Sequence, residues 1–225
     1  MKIIKYLKLI VGIVMFLNTV KLMQANEMIS RKQDIDYQSF YTGTETLETK
    51  RLILRQITLD DAEDMFKFTS DPQVETWDPI DETVADTRMF IEFLQKKYAE
   101  KEPALWGIAD KNTNKIIGYC GFNHSQPEHS IVELEYALDK AYWNQGLMSE
   151  ALEAIFAFTF NILKINRVIA FIVIDNIRSE RVALKLGMQL EGVHREAGYT
   201  RGAFWDMKSY VMLRNDYRAC SKSYH

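Results

Sequence analysis

Tyr136-Ala137-Leu138-Asp139-Lys140-Ala141-Tyr142-Trp143-Asn144-Gln145-Gly146-Leu147-Met148-Ser149-Glu150-Ala151-Leu152 takes the chain from a strand through a glycine-containing turn into a helix. Upstream, Ile131 to Leu138 reads as a strand in which Val132, Leu134, Tyr136 and Leu138 alternate with Ile131, Glu133, Glu135 and Ala137. Both carboxylates therefore leave the sheet on one face. Downstream, Met148, Ala151, Leu152, Ile155, Phe156 and Thr159 recur at helical spacing and predict a helix from about Leu147 to Ile162 that packs on the sheet. The first N–H groups of a helix have no intrahelical partner and carry the positive end of its dipole, so this turn suits a phosphate or pyrophosphate. A single glycine before a helix is equally consistent with a plain turn.

Working outward, Arg51 to Gln56 reads as a first strand, and Thr58, Asp60 and Asp61 open a helix running through Asp64 to Phe68. Ser70, Asp71 and Pro72 stop it. Val84, Thr87, Phe90, Ile91 and Leu94 predict a second helix over Thr83 to Ala99, and the two helices are expected to flank a cleft. Leu105 to Asp110, Ile116 to Asn123 and Ile131 to Leu138 predict an antiparallel meander. Val168 to Ile174 is apolar without alternation, as in a central strand covered on both faces. Asn176 then caps a helix that ends at Gly187, and strands at Gln189 to Glu196 and Trp205 to Leu213 follow. This order predicts a mixed α/β, or α+β, domain: a largely antiparallel twisted sheet of about seven strands with helices on both faces.

Composition sets the function classes. Of 225 residues, 47% are hydrophobic and 26% charged, the balance of a globular chain of one or two domains. With 28 basic and 31 acidic side chains the net charge is −3, which argues against a nucleic-acid partner. Cys120 and Cys220 lie far apart, and His124, His129, His194 and His225 form no close ligand pair, so no metal is expected.

The N-terminus stands apart. Lys2, Lys5 and Lys8 precede an apolar run from Leu9 to Val20, the length of a signal-peptide core and short for a spanning helix. Ala25 suits a cleavage site, whereas Met23, two residues earlier, does not. Residues 1–25 read either as a signal or uncleaved membrane anchor, or as an extension from an upstream start, with Met28 able to begin the chain. Residues 26–46 read as a polar linker, 47–217 as the folded domain and 218–225 as a tail.

Two further features bear on chemistry. Glu133 and Glu135 stand about 7 Å apart by strand geometry. Close carboxylates disfavour joint ionisation, which leaves one suited to taking a proton from an amine; a solvated polar face is the alternative. Asp175-Asn176-Ile177-Arg178-Ser179 follows the apolar strand, where polar groups meet ligands at strand ends; Asn176 reads as an N-cap, as a ligand contact, or as both.

Leu47 to Arg55 (LETKRLILR), Ser70 to Val74 (SDPQV), Ile117 to Phe122 (IGYCGF), Tyr142 to Leu152 (YWNQGLMSEAL) and Asn176 through Gly187-Met188 together resemble the GNAT acetyltransferases. Within them the chain is similar to the branch acting on ribosomal-protein N-terminal amines (RimJ/RimL-like), over Leu47 to about Tyr217. The resemblance implies acetyl-CoA as co-substrate, its pantetheine along Tyr136, Ala137 and Leu138 and its pyrophosphate on Gln145, Gly146, Leu147, Met148 and Ser149. It implies Glu133 as base, Asn176 beside the cofactor arm and Ser179 as hydrogen-bond donor to the departing sulfur. Three departures stand out: Asn144 replaces a glycine and Met148 a small residue of the phosphate loop, Glu135 replaces a glycine and is assigned to the acceptor, and Ala183 replaces the acid tyrosine of other GNAT enzymes. The acceptor is expected to be a primary amine, a protein N-terminus first and a polyamine, amino sugar or antibiotic second; a non-catalytic CoA-binding module is the reading from another class. Acetyl-CoA places the catalytic domain in the cytoplasm, free or tethered to a membrane by the leader, and a cleaved leader would instead export it.

Overall fold

The computed structural model describes residues 43–77 and 79–217. The leader and the tail, together with most of the linker, lie outside the described residues. The strands are β1 (Leu47–Glu48), β2 (Leu52–Arg55), β3 (Leu105–Asp110), β4 (Ile116–Gln126), β5 (Ile131–Leu138), β6 (Arg167–Val173), β7 (Gln189–Thr200) and β8 (Ala203–Leu213); the helices are α1 (Ala62–Thr69), α2 (Val84–Ala99), α3 (Leu147–Ala157) and α4 (Ile177–Lys185). The strands form one eight-stranded sheet in the order β1-β2-β3-β4-β5-β6-β8-β7. The two-residue β1, too short to announce itself by alternation, is the strand beyond the expected seven.

Every neighbouring pair in the sheet is antiparallel except β5 and β6, which run parallel. That pairing covers only Ile131↔Arg167, Val132↔Val168 and Glu133↔Ile169. Past Glu133, β5 continues against β4 alone and β6 against β8 alone, so the sheet opens between them. A register shift in β4 between Phe122 and His124 lies beside the point of parting. Such a bulge bends a strand and increases the local twist.

Two cores sandwich the sheet. Val132, Leu134 and Leu138 of β5 join Ala151, Leu152, Ile155 and Phe156 of α3 on one face, while Met65, Phe68, Ile91 and Leu94 of α1 and α2 pack on Ala109, Ile116 and Tyr119 on the other. The capping boxes Thr58/Asp61 and Thr83/Asp86 start the segments that carry α1 and α2.

Four expectations are corrected. β6 is interior to the sheet, but only Val168, Ala170 and Ile172 face a core; Phe171 is 37% exposed, because α1 and α2 cover the β2–β5 part of that face. Helix α1 and helix α2 do not line the cleft described below; the segment between them does. The helix after Gly146 is α-helical to Ala157 and widens into a π-turn over Phe158–Ile162. The last two strands continue to Thr200 and from Ala203, since Arg201 (φ 51°) and Gly202 (φ 78°) form a two-residue hairpin turn and the shift between His194 and Gly198 absorbs the irregular stretch.

Candidate functional site

Where β5 and β6 separate, a cleft of about 350 Å³ opens, of a size for a small-molecule ligand. Its walls bring together nine of the residues singled out in the sequence: Tyr136, Ala137 and Leu138 from β5, Gly146, Leu147, Met148 and Ser149 from the turn and first turn of α3, and Asn176 and Ser179 from α4. Val74, Thr76 and Trp77 close it from the segment between α1 and α2. Gln145, Glu133 and Glu135 do not line it.

The turn is built before any ligand arrives. Asp139 Oδ1 accepts from Ala141 N at 2.9 Å, and Trp143 Nε1 donates to the Leu138 carbonyl at 2.6 Å. Asn144 (φ 59°) and Gly146 (φ 74°) both take the left-handed conformation, which asparagine tolerates better than other side-chain-bearing residues, so Asn144 makes the bend that a glycine would make. Most of Met148 is buried in the main core, although it also contributes to the cleft wall. A Cβ placed on Gly146 would stand 3.8 Å from Lys185 Nζ and 3.9 Å from Arg51 Nη2. Two cations thus flank the helix N-terminus, and the residues present fit a phosphate-bearing group.

The brace behind this turn escaped the sequence reading. Glu150 accepts from Thr49 Oγ1 (2.6 Å), Arg51 N (2.8 Å) and Arg51 Nε (2.7 Å), and Arg51 Nη1 donates to the Gln145 carbonyl at 3.0 Å. Burial works against ionisation of Glu150, but the donors from Thr49 and Arg51 outweigh it and hold its carboxyl below the usual range. Arg51 and Glu150 fall within the two quoted motifs, yet nothing local pairs residues 99 apart.

Helix α4 forms the opposite wall. Asn176 Oδ1 accepts from Ser179 N at 3.2 Å, so Asn176 caps the helix and lines the cleft at once. The Ser179 hydroxyl donates to the Tyr136 hydroxyl at 2.6 Å, and that hydroxyl in turn donates to the Ser179 carbonyl at 3.2 Å. Burial pushes the Tyr136 phenol up to about 12, with the Ser179 hydrogen bond opposing, so it stays protonated at neutral pH. The Arg178 guanidinium lies over the Trp143 ring at 4.1 Å and donates to the Gln73 carbonyl at 3.1 Å, tying α4 to the turn and to the α1–α2 segment.

Glu133 sits at the vertex of the split, paired with Ile169 of β6 and with His124 of β4. With Glu135 it belongs to the face away from Val132, Leu134 and Leu138. Its carboxyl is raised above the ordinary range by burial, with His124 pulling the other way. The cause is therefore desolvation and not the Glu135 carboxylate expected from spacing alone. Ala183 lies on the buried face of α4. Among the described residues no cluster of His, Cys, Asp or Glu could hold a metal ion.

Residues 51–189 match the acetyltransferase (GNAT) domain family. The chain is 34% identical over 170 residues to the N-acetyltransferase YoaA of Bacillus subtilis, covering 75% of this chain and 96% of the relative. It is 30% identical over 100 residues to the ribosomal-protein-serine acetyltransferase of Escherichia coli, covering 44% and 56% respectively. In three dimensions it is similar to a GNAT-family acetyltransferase from Bacillus anthracis, with a TM-score of 0.68, 27% identity, and 76% of this chain and 99% of the other covered.

Proposed function

Because this chain belongs to the GNAT acetyltransferase family, we propose that its domain at residues 47–217 transfers the acetyl group of acetyl-CoA to a primary amine, with a protein N-terminal α-amine as acceptor. One observation carries the reading: β5 and β6 pair for three residues and then part, leaving a slot through the sheet with a helix N-terminus at its mouth and a half-buried carboxylate at its vertex.

In this reading the N-terminus of α3, with Lys185 and Arg51 beside it, holds the pyrophosphate, and Tyr136 to Leu138 offer the backbone edge that β6 has vacated to the pantetheine amides. Acetyl-CoA supplies an activated thioester. An amine entering from the α1–α2 face meets Glu133, whose carboxyl, raised by burial, makes it a better base than an exposed carboxylate. The C–N bond forms, the C–S bond breaks, the electron pair leaves on sulfur and the amine proton passes to Glu133. Ser179 meets the sulfur as a hydrogen-bond donor, since a serine hydroxyl is too weak an acid to surrender its proton outright. Glu135, one pleat along the same face, is assigned to the acceptor.

The likeness to a ribosomal-protein-serine acetyltransferase supports a protein acceptor, and we take its α-amine as the group acetylated. Incubation with labelled acetyl-CoA and a short peptide beginning with serine is expected to label the peptide α-amine and to leave an α-blocked copy unlabelled. Label on a diamine or amino sugar in place of the peptide would reassign the acceptor, and label on none of them would remove the activity.

A further inference from the structure

We propose that Tyr136 is a positioning residue that aims the Ser179 hydroxyl at the departing sulfur, its own O–H turning from the Ser179 carbonyl to Ser179 Oγ. The proposal rests on the role given to Ser179 above. Each hydroxyl has one proton to give and two lone pairs to receive, so two hydroxyls 2.6 Å apart can share a hydrogen bond in either direction. In the present arrangement Ser179 spends its proton on Tyr136, and Tyr136 spends its own on the Ser179 carbonyl at 3.2 Å. A serine in that state has nothing to offer a sulfur.

Reversal is cheap. The bond that Tyr136 gives up is the longer of the two, and it ends on a carbonyl inside α4 that accepts an intrahelical bond as well. No buried polar group is orphaned by the switch. After it, Tyr136 donates to Ser179 Oγ and Ser179 donates outward, and the first bond polarises the second. The tyrosine ring packs against the main core beyond the last β5–β6 pair, so its hydroxyl is a fixed post, whereas the serine is a free rotor at the helix N-terminus. Burial keeps the phenol protonated at neutral pH, as this donor role needs. No proton is lost from either hydroxyl over the cycle.

An acceptor-free experiment separates this proposal from the function it rests on: the titration of the thiol of bound CoA, followed by thiolate absorbance and compared with free CoA in the same buffer. A donated hydrogen bond favours the thiolate, so the bound thiol is expected to titrate below the free one. Tyr136→Phe should move it up by about half a pH unit or more, Ser179→Ala by at least as much, and the double variant no further than Ser179→Ala. If Tyr136→Phe leaves the thiol where the wild type has it while Ser179→Ala raises it, Ser179 acts unaided and the proposal fails with the function intact. If Ser179→Ala changes nothing, the role given to Ser179 and the proposal fall together while acetyl transfer stands; if CoA does not bind, the proposed function falls as well. Should Tyr136→Phe fold poorly, 3-fluorotyrosine at position 136, a stronger donor of nearly the same size, is expected to lower the bound thiol further; no change would overturn the proposal.

Discussion

Glu133 owes its basicity to where the strand puts it. Burial raises the carboxyl and His124, across β4, moderates the rise. As pH falls through this raised value the base is protonated and lost, so kcat/KM should decline on the acid side above the ordinary carboxylate value of about 4.3. Glu133→Gln is expected to remove that limb and lower kcat by about 10²–10⁴-fold while acetyl-CoA binds as before; unchanged turnover would remove Glu133 as base. Strand alternation placed Glu133 on its face of the sheet, and the polar run after the apolar strand placed Asn176 and Ser179 at the start of a helix, where the structure has them; their roles rest on the resemblance and the proposed function. The sequence attributed the carboxyl's behaviour to the wrong neighbour, because desolvation depends on what packs above a residue and spacing does not record that.

At the scale of elements, the turn before α3 is held by a segment from the other end of the domain. Arg51, in the β1–β2 turn, grips both the Glu150 carboxylate and the Gln145 carbonyl. Arg51→Ala should raise the Kd for acetyl-CoA roughly fivefold to tenfold by loosening a preorganised site, and cost about 1 kcal/mol of stability for a half-exposed pair. Arg51→Lys keeps the charge without the fork and should recover only part of both. Titration calorimetry and thermal melts read the two effects; wild-type affinity in Arg51→Ala would mean the turn stands unaided. Single elements were legible where their own periodicity decided them, as in α2 and β5. The strands β7 and β8 were legible too, but their continuation to the hairpin turn was not, because Ala197 to Phe204 lacks alternation and the pairing there depends on a register shift between His194 and Gly198.

Across the whole molecule, the two cores divide the labour. The α3–α4 side supplies much of the cleft wall, and Glu133 lies on the other face of the sheet, the one that α1 and α2 cover further along; in the proposed function the first takes the cofactor and the second the acceptor. Element order and glycine punctuation foretold the mixed sheet with helices on both faces. The parting of β5 from β6 was not foretold, since it arises from the register between strands far apart in sequence. That opening is the centre of the account, and binding of acetyl-CoA tests it most directly. Calorimetric titration of acetyl-CoA into the full chain, with a melting curve to confirm folding, should give saturable one-to-one binding that weakens in Arg51→Ala. A folded protein that takes up no acetyl-CoA would contradict the account.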